Sequence, residues 1–109
     1  MQLYQIIDAA KEDLIDIWCY SAKQFGEAQA DHYVRLLEQK FEKIGKGELQ
    51  TKQPLENHSL LRVARCEHHY VFFIKKEIPV VIAILHEKMN LIARIEDRLD
   101  NDPNTNNKA

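Results

Sequence analysis

The chain has 109 residues, 45% of them hydrophobic and 29% charged, with a formal net charge of −2. That suits one soluble globular domain with a single core and leaves no room for a second. No apolar run approaches the roughly 20 residues that span a bilayer, and the balance of charge provides no global basic field for nucleic acid.

The opening MQLYQIIDAAKEDL has neither the basic start nor the apolar stretch of a secretory signal. Cys19 and Cys66 are too few and too far apart for a disulfide scaffold or a zinc site. Each is expected to be a small buried or half-buried side chain in a reduced, cytoplasmic protein.

LYQII, residues 3–7, is short, aromatic and β-branched, and predicts a strand. Asp8 follows as the expected N-cap, with Glu12 and Asp13 in a first turn where carboxylates suit the helix dipole. Ala10, Leu14, Ile17, Trp18, Ala22 and Phe25 then recur at helical spacing up to Gly26, the natural break. Ala30, Tyr33, Val34, Leu37, Phe41 and Ile44 repeat the stripe, which Gly45 and Gly47 close. With almost nothing between them, the two helices are expected to fold back as an antiparallel hairpin.

A polar connector containing Pro54 leads to LLRVAR (60–65) and HHYVFFIKK (68–76), both strands by pattern. The second is apolar on both faces in its middle, as a central strand covered by helices must be. After the polar Lys75-Lys76-Glu77, PVVIAIL (79–85) returns as a third neighbouring strand, with Pro79 tolerated at its start. Met89, Ile92, Ile95 and Leu99 space a short helix. Residues 1–99 make the domain, and 100–109 predict a disordered tail. The order β-α-α-β-β-β-α is an α+β fold: a small antiparallel sheet, its N-terminal strand added at an edge, with the helical hairpin packed on one face.

Three glycines, Gly26, Gly45 and Gly47, make no phosphate-binding loop. His68 and His69 alternate along a strand and so point to opposite faces, and no ligand-spaced motif surrounds them. Neither a metal nor a cofactor is expected. Between His58 and Arg94 there are six Lys or Arg against three Asp or Glu, so this half of an otherwise acidic chain is locally basic. Arg62, Arg65, His69 or Tyr70, and His86 lie on strands that should be neighbours.

Metal-free RNA cleavage needs a base, an acid and cations, which such residues supply. Arg62 and Arg65 are three apart, however, and face opposite sides of an unbulged strand. Set against that reading, the arginines are solvated sheet residues. His86, on the parity of Val80, Ile82 and Ile84, is then a polar cap on the core.

A strand, a helical hairpin broken at FGEAQA, then RVARCEHHYVFF and VVIAILHEKMN together resemble the ParE toxins of the RelE/ParE superfamily. The resemblance runs from Tyr4 to Leu99. Its most specific pieces are A-x-x-D-L-x-x-I, from Ala10 to Ile17, and ILHEKMN, from Ile84 to Asn90, where Asn90 stands at a position ParE proteins commonly fill with Asp.

The resemblance implies the toxic half of a type II toxin–antitoxin pair, directed at DNA gyrase. The RelE branch instead cleaves mRNA, which would here use Arg62, Arg65 and His86. Glu87 stands where that branch has Tyr, and the connector lysines Lys46 and Lys52 are sparse, so the ParE reading is favoured, with His86 structural or docking. A non-toxic remnant that only binds antitoxin is the third reading. The implied partner is a cognate antitoxin whose C-terminal segment wraps over the hairpin and sheet, with Arg62, Arg65, Tyr70 and Trp18 as the expected contacts. No membrane and no sequence-specific nucleic-acid partner is implied.

Overall fold

Ile7 is extended (φ −74°, ψ 160°) and the chain turns into a helix immediately after it, so the first strand stops early. In the structure, a computed structural model describing residues 2–101, β1 (Gln5–Ile6) is shorter than the LYQII pattern predicts. The remaining elements are α1 (Asp8–Phe25), α2 (Glu27–Gly45), β2 (Leu61–Cys66), β3 (His69–Ile74), β4 (Val80–His86) and α3 (Leu91–Asn101). The sheet order is β1-β4-β3-β2. The last three strands form the expected antiparallel meander. β1 sits at the edge, parallel to β4 with Gln5 opposite Val80, so the sheet as a whole is mixed.

β3 and β4 carry an almost uninterrupted apolar run, and Val71–Ile74 and Val80–Leu85 are all buried. Leu37, Phe41 and Ile44 of α2 and Ala10 of α1 join them in one core, with Tyr4 edge-on to Phe41 at 5.5 Å. Gly26 links the two helices at φ +94°, a conformation that side chains resist. Gly45 ends α2 against the β1 lead-in, where an added Cβ would lie 2.5 Å from the Leu3 carbonyl oxygen. The polar connector covers the outer edge of β2, with Lys52 and Val63 exchanging backbone hydrogen bonds at 3.2 and 2.9 Å.

Several local expectations are corrected. Asp8 lies inside the first turn of α1, where it pairs with Lys11 at 3.8 Å, and no side chain caps that helix. Phe25 is 70% exposed and not in the core. Cys66 is buried but Cys19 is exposed. His68 lies in the turn before β3, because Glu67 adopts φ +54° and closes the β2–β3 connection there. Met89 precedes α3 and is exposed. Asn90 caps that helix through its side-chain oxygen, 3.3 Å from the Ala93 N–H, a task for which Asp serves equally well. α3 runs on through Asp100 and Asn101, and the rest of the predicted tail lies outside the described residues.

The sheet acquires its working geometry from a bulge. Phe72 opposes Ala83 while Phe73 opposes Val81, so Ile82 is the extra residue and the backbone of β4 turns over at that point. Beyond Val81, where β1 has ended, β4 needs another partner. Asp13 of α1 accepts the Ile84 N–H at 3.0 Å, and Arg98 of α3 donates to the Ile82 carbonyl at 2.7 Å. The two side chains also bond each other at 3.1 and 3.2 Å, a bidentate pair only 16% and 22% exposed.

Asp13→Ala leaves a half-buried guanidinium and a strand N–H without their acceptor, and is expected to cost about 3 kcal/mol in urea unfolding. Asp13→Asn keeps an acceptor for Ile84 and should lose less. Gly45→Ala is expected to lower stability by about 2 kcal/mol, measured the same way, because the Leu3 backbone must move to admit the methyl group.

Candidate functional site: a groove and a charged fork at one end of the sheet

The Gly26 half of the helical hairpin, the Glu67–His68 turn, the end of β4 and α3 enclose an open groove of about 1210 Å3. Its apolar lining explains the side chains that the core left out. Tyr20 and Phe25 of α1 are 66% and 70% exposed and face into it, with Met89 opposite. Phe25 therefore keeps helical phase with the α1 stripe but serves a concave surface.

At the floor, β3 and β4 place His69 directly across from His86. Their rings meet edge to face at 5.0 Å, and His68 stacks on His86 at 6.4 Å. Tyr33 of α2 connects the group. Its hydroxyl accepts the His68 backbone N–H at 3.2 Å and hydrogen-bonds His69 Nδ1 at 2.6 Å. Burial, then the neighbouring His86 and His68, push the His69 pKa down to about 4. Burial likewise raises Tyr33. Tyr33 and His69 thus form a neutral pair, with His69 a poor base because burial and the neighbouring rings hold its pKa low. His86 Nδ1 accepts the Lys88 N–H at 3.1 Å, which closes the chain reversal after β4.

Beside the histidines stands a charged fork. Arg65 Nη2 pairs with Glu87 Oε1, and the other Glu87 oxygen lies 2.9 Å from His68 Nδ1. Arg65 also donates from Nε to the Glu67 carbonyl at 3.0 Å and from Nη1 to the Tyr70 hydroxyl at 3.3 Å, with its guanidinium 5.4 Å from the Tyr70 ring centroid. The His68 hydrogen bond, followed by the Arg65 charge, holds the Glu87 carboxyl below its ordinary range despite some desolvation.

The antitoxin contacts expected from the sequence separate into three places. Arg65 and Tyr70 are directly opposite each other and in contact. Arg62 pairs with Phe73 in the same unbroken register and so projects from the other face of β2, with a buried Nε that has no hydrogen-bond partner among the described residues. Trp18 donates its indole N–H to Asp31 at 2.8 Å, bolting α1 to α2 away from the fork. Arg62, Arg65 and His86 are therefore not one constellation. The sequence reading missed Tyr33, taken as a core aromatic; its hydroxyl was the available signal, since a half-buried phenol needs a partner. Among the described residues no group of His, Cys, Asp or Glu is arranged to hold a metal ion, and no helix is long and apolar enough to cross a membrane.

Residues 4–91 match the family model described as ParE toxin of type II toxin-antitoxin system, parDE. The chain is 42% identical over 101 residues to the Toxin ParE of Escherichia coli, covering 91% of this chain and 98% of that one. It is 37% identical over 103 residues to Toxin ParE1 of Caulobacter vibrioides, covering 87% and 99%. Among solved structures, a chain of the chromosomal ParDE TA system from P. aeruginosa superposes with a TM-score of 0.66 at 17% identity, over 79% of this chain and 96% of that one. This last likeness is one of fold.

The depressed His69 pKa sets a pH dependence. The folded state resists protonation from the ordinary 6.5 down to about 4, whereas the unfolded chain takes up the proton near 6.5. The native contribution is therefore intact above pH 6.5 and is lost as pH falls toward 4, by about 2 kcal/mol after allowance for partial solvent exposure. His86→Ala removes one neighbouring ring and opens part of the cover over His69, and NMR titration is expected to show the His69 pKa rising toward its ordinary value.

Proposed function

Because the chain belongs to the ParE family of type II toxin–antitoxin toxins, we propose that it acts in the cytoplasm by binding and inhibiting DNA gyrase, and that a cognate antitoxin neutralises it. The carrying observation for binding over RNA cleavage is Glu87, which spends its carboxylate on both Arg65 and His68. A phosphodiester approaching this strand end meets a compensated cation and a neutral His69 in place of an acid, a base and free positive charge. The proposed mechanism is occlusion or trapping of the target by surface contact, with no covalent step at this protein.

Support for the partner comes from two quarters. The P. aeruginosa neighbour is described as part of a ParDE TA system, and the groove offers exposed Tyr20 and Phe25 to an apolar segment that orders on binding. Arg62, Arg65, Tyr70 and Trp18 are the proposed antitoxin contacts, with Arg65 and Tyr70 the pair best placed to act together.

Purified, antitoxin-free protein is expected to abolish gyrase supercoiling and accumulate cleavage complexes while a parallel translation reaction proceeds normally; adding antitoxin should restore supercoiling. Intact supercoiling with cleaved mRNA would overturn the reading in favour of a ribonuclease, and silence in both reactions would leave a remnant that only binds antitoxin.

A further inference from the structure

On the far side of the Glu67 turn lies a second recess, a notch of about 180 Å3. Lys40 and Lys43 of α2 line it with Arg65 of β2, against the single carboxylate of Glu67. The two lysines are three residues apart on one helix and so present their ammonium groups on one side. The nearby Lys40 charge also opposes the upward push of burial on the Cys66 thiol. Leu36 and Glu67 line both the notch and the large groove, so one ligand lying in the groove can reach over that rim into the notch.

Arg65 is the residue shared between notch and fork. Tyr70 and the Glu67 carbonyl already hold its guanidinium in place, and Glu87 demonstrates in cis that a carboxylate fits against Nη2. Arg65 is 55% exposed and Glu87 26%, so their bond is an accessible ion pair of small net worth, open to exchange. The ligand group follows from the fork itself, where the structure shows a carboxylate oxygen seated against Nη2.

We propose that Arg65, Lys40 and Lys43 receive a carboxylate from an acidic peptide partner, and that Glu87 occupies the Arg65 fork until that carboxylate displaces it. This deepens the antitoxin reading and rests on Arg65 facing that partner. Glu87 is then a competitor: it weakens capture of the peptide and keeps the unliganded fork from collecting other anions.

The test uses the full chain and a fluorescein-labelled hexaglutamate peptide, followed by fluorescence anisotropy at low ionic strength. Glu87→Gln is expected to tighten binding about fivefold, and Lys40→Gln with Lys43→Gln to weaken it about tenfold. Glu56→Gln and Lys75→Gln with Lys76→Gln change the net charge equally outside both recesses and serve as controls. Glu87→Gln binding no tighter than Glu56→Gln, or weaker than the unaltered chain, overturns the competitor role. Lysine variants no weaker than the Lys75 and Lys76 control overturn the notch, and inorganic pyrophosphate outcompeting the peptide overturns the choice of carboxylate. Gyrase inhibition read on the same preparations separates a failure of this site from a failure of the toxin reading.

Discussion

The arrangement depends on how β4 is completed after β1 runs out. A central strand cannot leave a carbonyl and an N–H unpaired in the interior without a cost comparable to a lost hydrogen bond each. Asp13 and Arg98 supply the missing partners at Ile84 and Ile82, and their bond to each other sets the spacing of the two groups. An ion pair thus does the work of a third β1 residue. The substitution has consequences for shape. α1 and α3 are pinned to the same stretch of β4, which keeps α3 beside the Gly26 half of the hairpin and leaves the groove open between them.

Past the bulge at Ile82, the sheet passes from dry core to a polar end within a few residues, and the two regions obey different electrostatics. Inward, the neutral Tyr33–His69 pair satisfies its own hydrogen bonds with no charge to desolvate. Outward, Arg65 and Glu87 form an ion pair that water still screens, with His68 hydrogen-bonded to the same carboxylate. His86 stands at the boundary. Its ring touches both other histidines, and its Nδ1 closes the turn that carries Glu87 back toward the His68 carbonyl. An ionisable side chain where a buried strand gives way to a helix is thus accounted for by local hydrogen bonding.

Legibility in the sequence followed the range of the interactions concerned. The α2 stripe was readable because Leu37, Phe41 and Ile44 face one core, with Ala30 buried at the same period. The same period continued through Phe25 of α1, but periodicity does not distinguish a groove wall from a core wall. Asp13 looked like a carboxylate placed for the helix dipole, since its partner Arg98 lies 85 residues away. The bulge was invisible because VVIAIL is apolar throughout and carries no alternation for a register shift to disturb. Tyr33 and His68 likewise meet only through the fold, 35 residues apart. The fold class survived these local errors because it rests on element order and on two glycine breaks, each set by nearby chemistry.

On the proposed docking, the two recesses divide the labour of recognition. The large groove carries the aromatic area, through Tyr20 and Phe25, and apolar area of that kind supplies binding energy with little dependence on salt. The fork and notch carry the charge, at exposed positions where an ion pair adds register and partner choice more than affinity. A ligand that satisfies both therefore binds more tightly than a bare polyanion, whose weaker binding at low ionic strength reads the charged contacts alone. A bare polyanion gains only the screened contacts and must first displace Glu87, while a purely apolar segment leaves Arg65 with the partner it already has. Folding cost alone favours an internal carboxylate at Arg65 very little, because the pair is largely solvated. Its larger effect falls on discrimination, since it weakens every anion that lacks an apolar body to hold it in the groove.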